Sequence, residues 1–264
     1  MPEGHTIHRL ARRHNRLLRG EQLRASSPQG RFTAGAGLID GRLLLRAEGY
    51  GKHLLYDIDG PWTLHVHLGL YGTFRELAQP APAPVGLVRL RWEAATTCHD
   101  LRGPTACELL EPDAVRRLVA RLGPDPLRRD ADPERAWSAL RARRIPIAAA
   151  LMDQSVLAGI GNVYRAEILF VHGIDPFLAA RDLPRESFDN LWARAIQMLR
   201  AGVRSGRIVT TEPADRTGSS RASRDDAHYV YRRAGLPCRR CGSEVQSAVL
   251  AGRNLYWCPR CQAG

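Results

Sequence analysis

Apolar residues recur at helical spacing near the start of the chain, at Ile7, Leu10, Ala11, His14, Leu17 and Leu18, with Arg9, Arg12, Arg13 and Arg16 between them. That pattern predicts an amphipathic helix over residues 5–18. The period then shortens. Short alternating or apolar runs at 22–26, 42–48, 53–57, 63–68, 73–76, 86–92 and 106–109 are separated by turn signals such as Asp40-Gly41, Asp59-Gly60-Pro61 and Gly103-Pro104. They predict strands of a β-sandwich or barrel-like domain. The Pro/Ala-rich run from Gln79 to Pro84 reads as a surface connection. Helical periodicity returns at 112–122, 133–142 and 147–154. After Leu157-Ala158-Gly159-Ile160-Gly161-Asn162 a further helix runs to about His172, and another covers 187–202. Residues 210–228 are polar and aperiodic, which predicts a mobile loop.

Three domains follow: 1–125, a β-sandwich with an N-terminal helix; 126–228, helical; and 229–264, a β-hairpin. The fold class is α+β. No apolar run is long enough to cross a bilayer, and Arg9, Arg12, Arg13 and Arg16 interrupt any signal-peptide core, so the reading is a soluble cytoplasmic protein.

Charge sharpens the picture. The formal net charge is +12, and because Lys52 is the single lysine, 38 of the 39 basic residues are arginine. A GC-rich coding bias accounts for arginine over lysine but not for the excess over Asp and Glu. The imbalance points to a polyanionic partner, most simply nucleic acid. Lys52, following Gly49-Tyr50-Gly51, stands out as an amine able to lose its proton.

Cys238-x2-Cys241 and Cys258-x2-Cys261, with sixteen residues between the pairs, match a four-thiolate zinc site. Such a site has no open position, so the metal is structural. The intervening residues alternate as a hairpin, with Gly252-Arg253-Asn254 read as its turn. Arg253 there is a phosphate contact or a solvated turn residue. Cys98 and Cys107 lie outside the cluster.

Gly159-Ile160-Gly161-Asn162 reads as a tight turn between helices, with Asn162 capping the second. It is an anion site or an ordinary helical hairpin. Leu70-Tyr71, between Gly69 and Gly72, is an exposed wedge of the kind that enters base steps, or a half-buried pair at a strand end. His65 and His67 share a strand face, but no third metal ligand is nearby in sequence. Finally, removal of Met1 before Pro2 leaves a secondary α-amine, a better nucleophile near neutral pH than an unperturbed lysine. Glu3 beside it can act as acid or base. Alone, Met1-Pro2-Glu3-Gly4 reads equally as a frayed terminus.

Taken in order, the Pro-Glu-Gly terminus, the β-rich region with one lysine, the Gly-x-Gly-Asn turn and the cysteine hairpin resemble the formamidopyrimidine-DNA glycosylase/endonuclease VIII family across the whole chain. The resemblance implies a bifunctional DNA glycosylase/AP lyase of base-excision repair. Pro2 would attack C1′, Glu3 would move protons, and Lys52 would be the functional lysine of the β-rich domain. Asn162, with Gly161 in the helix-two-turn-helix, and Arg253 would grip phosphates, and Leu70, Tyr71 and Arg102 would occupy the everted base's place. Cys238, Cys241, Cys258 and Cys261 would hold one zinc ion. Loop 210–228 would close over the base, and β,δ-elimination would cut the strand.

Pro104 stands where formamidopyrimidine-type members carry an aromatic, and the Leu-Tyr wedge resembles the endonuclease VIII branch, which favours oxidised pyrimidines. Thr6 replaces a glutamate found in many members. The implied partner is damaged double-stranded DNA, or single-stranded or bubble DNA, bound by a nucleoid-associated monomer. The competing class is a non-catalytic zinc-containing DNA-binding protein. An RNA-associated zinc protein fits the charge but not the wedge.

Overall fold

A computed structural model describes residues 2–216 and 222–263. By internal contacts the chain divides into two units, Met1–Arg121 and Leu122–Gly264. Part of the expected loop, residues 217–221, lies outside the described residues.

The first unit opens with α1 (Gly4–Leu18), followed by β1 (Gln22–Ser26), α2 (Thr33–Ile39), β2 (Arg42–Tyr50), β3 (His53–Ile58) and β4 (Thr63–His67). Then come β5 (Thr73–Ala78), β6 (Val88–Glu93), β7 (Thr97–Arg102), β8 (Ala106–Leu110) and α3 (Pro112–Ala120). The strands run β5-β7-β6-β1-β2-β3-β4-β8, antiparallel throughout. Only Gln22↔Leu43 and Leu23↔Arg42 join β1 to β2. The sheet therefore folds at that corner into two four-stranded layers. Leu54, Tyr56, Leu64 and Val66 from one layer share a core with Leu90, Trp92 and Leu101 from the other. The Tyr56 and Trp92 rings meet edge-on at 4.8 Å. This is the expected sandwich with its N-terminal helix.

The helix is fixed to the sheet by more than its apolar face. Ile7, Ala11 and Leu18 are buried, and Asn15 mimics a strand: its amide donates to the Ala47 carbonyl and accepts from the Ala47 N–H, both at 2.7 Å. His14, also buried, sits 2.7 Å from the Tyr56 hydroxyl.

Two elements escape the sequence pattern. Strand β7 reads as Thr-Cys-His-Asp-Leu-Arg, too polar for a strand paired on both sides. Buried Arg91 resolves this with two hydrogen bonds to Asp100, at 2.7 and 3.0 Å, so the charge enters the sheet already paired. Helix α2 hides behind Gly35 and Gly37. A Cβ at Gly35 would stand 2.2 Å from the Phe32 ring, so that glycine admits the aromatic under the helix.

The second unit holds α4 (Pro133–Arg141), α5 (Ile147–Ala150), α6 (Asn162–Val171), α7 (Arg185–Ser205) and the hairpin β9 (Gln246–Leu250) and β10 (Arg253–Trp257). Asp132 caps α4 by accepting from Glu134 N at 2.9 Å. The helix expected over 147–154 is a single turn, after which Gln154 takes over. Its amide donates to the carbonyls of Met152 and Ile160 and accepts from Gly159 N, each at 3.0 Å. One side chain thus staples the whole turn entering α6. The 210–228 segment is not loose at its ends. Glu167 of α6 accepts from the backbone N–H groups of Tyr229, Val230 and Tyr231 at 2.7–2.9 Å and from the Thr210 hydroxyl. Thr210, Thr211, Asp226 and Ala227 are buried.

Candidate functional site

Strand registers gather the expected residues of the first unit at one end of it. β2 and β3 are joined by the two residues Gly51-Lys52, with Tyr50 opposite His53. Gly51 has φ 57°, the positive value at the first loop position that a type II′ turn demands. Lys52 thereby sits half-buried at the tip. His53 pairs with His67, the last residue of β4. The next residues form the wedge. Gly69 has φ 64°, and a Cβ there would stand 1.8 Å from Thr105 Oγ1; one at Gly72 would stand 2.2 Å from the Leu68 carbonyl oxygen. Both positions therefore require glycine, and between them Leu70 is 42% and Tyr71 81% exposed. The half-buried strand-end alternative for this pair does not hold.

Arg102 faces Thr73, directly after the wedge, across the β5–β7 pair. It also approaches Asp100 at 3.4 Å. A Cβ at Gly103 would be 3.5 Å from the Tyr71 carbonyl oxygen, so the Arg102-Gly103 corner packs on the wedge. The first turns of α1 reach this end too. A Cβ at Gly49 would lie 3.2 Å from the side chains of Ile7 and His8. Glu3, just before the helix, is fully buried and its carbonyl accepts from Thr6 N at 2.9 Å; Pro2 is half-buried. A carboxylate at a helix N-terminus is favoured by the exposed N–H groups there. Burial first, then the nearby amino terminus and Arg9, push His5 down to about 4. The imidazole is therefore neutral near neutral pH. Thr6 Oγ1 lies 3.3 Å from His5 Nε2.

Sequence reasoning left His67 without a role, yet it shares this end. Gly69 N donates to its Nδ1 at 3.2 Å, so in the neutral ring the hydrogen is on Nε2. Burial, with His65 and Lys52 nearby, lowers its pKa. The signal was the His-Leu-Gly step itself, a polar residue ending an apolar strand just before a forced turn.

In the second unit, Asn162 does not cap α6. Gly161 is the cap residue, and Asn162, first in the helix, is buried. Its amide donates to the Asn254 carbonyl at 3.0 Å. Arg165, fully buried, donates to Asn162 Oδ1, to the Ala148 carbonyl at 3.2 Å and to the Asn254 carbonyl at 3.4 Å. This pair ties the helix turn to the residue after Arg253, which is exposed at the start of β10. Asn162 and Arg253 are thus brought together, through Arg165, which sequence reasoning missed. The hairpin turn is Ala251-Gly252 rather than Gly252-Arg253-Asn254, since Leu250 pairs with Arg253.

The ligand atoms of Cys238, Cys241, Cys258 and Cys261 lie within 4.8 Å of one another. The Cys238–Cys261 and Cys241–Cys258 sulfurs are 3.9 and 3.4 Å apart. A zinc tetrahedron with bonds of about 2.3 Å has sulfur edges of about 3.8 Å. Backbone N–H groups of Arg240 and Cys261 point at the Cys238 and Cys258 sulfurs, at 3.5 and 3.4 Å, as thiolates require. These four residues fit one structural zinc. Cys98 and Cys107 are separate, on β7 and β8, and burial raises both thiols, Cys107 to about 12. Cys98 is buried, and Cys107 packs against the sandwich core.

Three family models match the chain: the formamidopyrimidine-DNA glycosylase N-terminal domain at residues 1–107, the H2TH domain of the same enzymes at 122–213, and the zinc finger found in FPG and IleRS at 235–264. Endonuclease 8 1 of Mycobacterium tuberculosis is 50% identical, over 99% of this chain and all of that protein. The chain belongs to the formamidopyrimidine-DNA glycosylase/endonuclease VIII family. Its members are DNA glycosylases and AP lyases of base-excision repair. Formamidopyrimidine-DNA glycosylase of Thermus thermophilus is 32% identical over 99% of this chain and 98% of its own length. The crystal structure of MutM (Fpg) from that organism matches with a TM-score of 0.79 at 29% identity, covering 99% of this chain and 98% of that one. Lactococcus lactis Fpg bound to DNA containing an oxidised pyrimidine matches at 0.81 and 25% identity, covering both chains fully. Among the described residues no helix is long and apolar enough to cross a membrane.

Proposed function

We propose that the protein excises oxidised pyrimidines from DNA and cleaves the resulting abasic site through its terminal proline amine. The observation that carries this reading is the state of the terminus. Glu3 is fully buried next to a half-buried Pro2, directly before a helix locked to the sheet through Asn15, so the segment is not a frayed end. Glu3 stands as acid and base, and Lys52, on its rigid turn, as a second proton carrier. Pro2 displaces the base at C1′ to give an iminium, and loss of the 2′ proton drives β- and then δ-elimination.

DNA is drawn in by the arginine excess, with a steep salt dependence. Asn162 with Gly161, at the start of α6, and Arg253, on a hairpin that zinc folds without entering the chemistry, supply phosphate contacts from the second unit. Leu70 and Tyr71 enter the stack as the lesion flips out. Preference for pyrimidines rests on this Leu-Tyr wedge, on Pro104 beside Arg102, and on the 50% identity to an endonuclease 8. Segment 210–228, clipped at both ends by Glu167, is assigned to cover the everted base.

Borohydride reduction traps such an iminium. Tag-free, Met-processed protein should form a covalent adduct with duplexes bearing an abasic site or thymine glycol. Pro2→Gly should lose most of it, and a retained N-terminal tag should abolish it. Full lyase activity with the tag in place would exclude the terminal amine. Tight DNA binding with no adduct on either duplex would make this a non-catalytic zinc-containing DNA-binding protein.

A further inference from the structure

A polar chain crosses three adjacent strands, starting at the residue that follows the Gly51-Lys52 turn. His65 on β4 is buried and stands opposite Glu108 of β8. Its Nδ1 lies 2.9 Å from Glu108 Oε1, and its Nε2 lies 2.9 Å from His53 Nδ1. The two imidazoles stack with centroids 5.1 Å apart, and His53 lies 5.0 Å from the His67 ring. His53 directly follows Lys52 in the chain.

The hydrogens follow from what each atom can do. A carboxylate only accepts, so His65 donates from Nδ1. With that hydrogen alone on the ring, His65 Nε2 is an acceptor, and His53 donates to it from Nδ1. That leaves a lone pair on His53 Nε2. Burial, together with His65, His67, Arg121 and Lys52, lowers His53 to about 3, so the ring stays neutral. The charged and titratable groups around it are Lys52 from the β2–β3 turn, His67 from β4, Glu108 from β8, and Arg117 and Arg121 from α3 and its end. His65, Glu108, Arg117 and Arg121 also line a cleft of about 360 Å³, which gives the Glu108 end of the chain access to water.

We propose that Glu108, His65 and His53 form a positioning relay for Lys52: Glu108 fixes the tautomer of His65, His65 fixes that of His53, and the His53 Nε2 lone pair holds the Lys52 ammonium in its working position. The relay rests on the reading of Lys52 as a functional residue. It makes no contact with DNA of its own and adds no bond-breaking step. Its effect falls on the rate of strand cleavage and not on affinity. A polar chain kept only to satisfy buried groups would have no such selectivity.

The test uses the full, zinc-loaded, tag-free protein and a duplex with one abasic site. Two-bond proton–nitrogen correlation spectra of the ¹⁵N-histidine protein read the tautomers directly, and should show hydrogen on Nδ1 of both His53 and His65. Glu108→Met should scramble the His53 tautomer and slow single-turnover cleavage about tenfold, with DNA affinity held within about twofold. Glu108→Gln, which keeps an acceptor for His65 Nδ1, should restore at least half of the lost rate. In a Lys52→Ala background, Glu108→Met should have no further effect on rate. An unchanged tautomer and rate in Glu108→Met, or an equal loss in the Lys52→Ala background, would overturn the relay. Failure of the wild-type protein to cleave or be trapped would instead overturn the functional reading, and the spectra would still report the hydrogen-bond chain.

Discussion

Two tips of this protein present exposed side chains on tight turns, and they are held by opposite means. The wedge Leu70-Tyr71 is the turn after a strand within an eight-stranded sheet. Its shape is dictated by sterics: Gly69 against Thr105 and Gly72 against the Leu68 carbonyl leave no space for a side chain. The β9–β10 tip belongs to a two-stranded sheet, of whose strand residues only Leu255 is fully buried. A lone hairpin is marginal in water. This one is supported from outside, by four thiolates at its base and by the Asn162 and Arg165 donors that reach the Asn254 carbonyl. One tip is rigid because its fold is large, the other because it is clamped.

The largest expected effect breaks the clamp. Chelation of zinc, or Cys258→Ser, removes a metal worth on the order of 10 kcal/mol in small zinc folds. Hydrogen exchange should show β9 and β10 losing protection while β2–β4 keep theirs, and DNA affinity should fall by about 100-fold or more if the proposed phosphate contacts are lost with the hairpin. Protection lost equally in both sheets would mean the tips are not independently supported.

Next comes the wedge itself. Gly72→Ala places a methyl 2.2 Å from a backbone oxygen, so the turn must open. About 2–4 kcal/mol of stability should be lost, read by denaturant unfolding. Tyr71→Ala provides the contrast. Tyr71 is 81% exposed, so stability should not change, while lesion excision should slow by about 10- to 100-fold through lost stacking. Equal stability losses in the two variants would deny that the glycines set the shape and the tyrosine does the work.

The difference between the tips also explains what could be read from sequence. The zinc hairpin was legible because metal geometry imposes a fixed cysteine spacing, and α1 because one face of it is apolar at helical period. What stayed hidden depends on partners distant in the chain. Strand β7 looked too polar because Asp100 is neutralised by Arg91 of a neighbouring strand. Asn162 looked like a cap because its actual acceptor, the Asn254 carbonyl, is 92 positions away. Gln154 and Arg165 carried no periodic signal, since each acts by its hydrogen bonds and not by its place on a face. Segment 210–228 was polar in composition, but its ends are held by one buried glutamate, Glu167. The wedge was visible as a turn, and its exposure became plain only once Thr105 and Leu68 were seen to close both sides.

The smallest effect tests the clamp from the other direction. The β9–β10 turn has only two residues, and both are left-handed: Ala251 at φ 50° and Gly252 at φ 70°. This suits a type I′ turn, whose first position favours Asn, Asp or Gly. Alanine there carries a Cβ in a conformation that costs about 1–2 kcal/mol, an expense the zinc and the Asn162–Asn254 bond offset. Ala251→Gly should therefore stabilise the tip by about 1 kcal/mol or less, since glycine's own entropy cost cancels part of the relief. The gain should appear as slower zinc loss to a chelator and stronger exchange protection of β9 and β10, with no change in the melting of the first unit. Faster zinc loss in the variant would show that the hairpin is held in register by its turn and not by the clamp at its base.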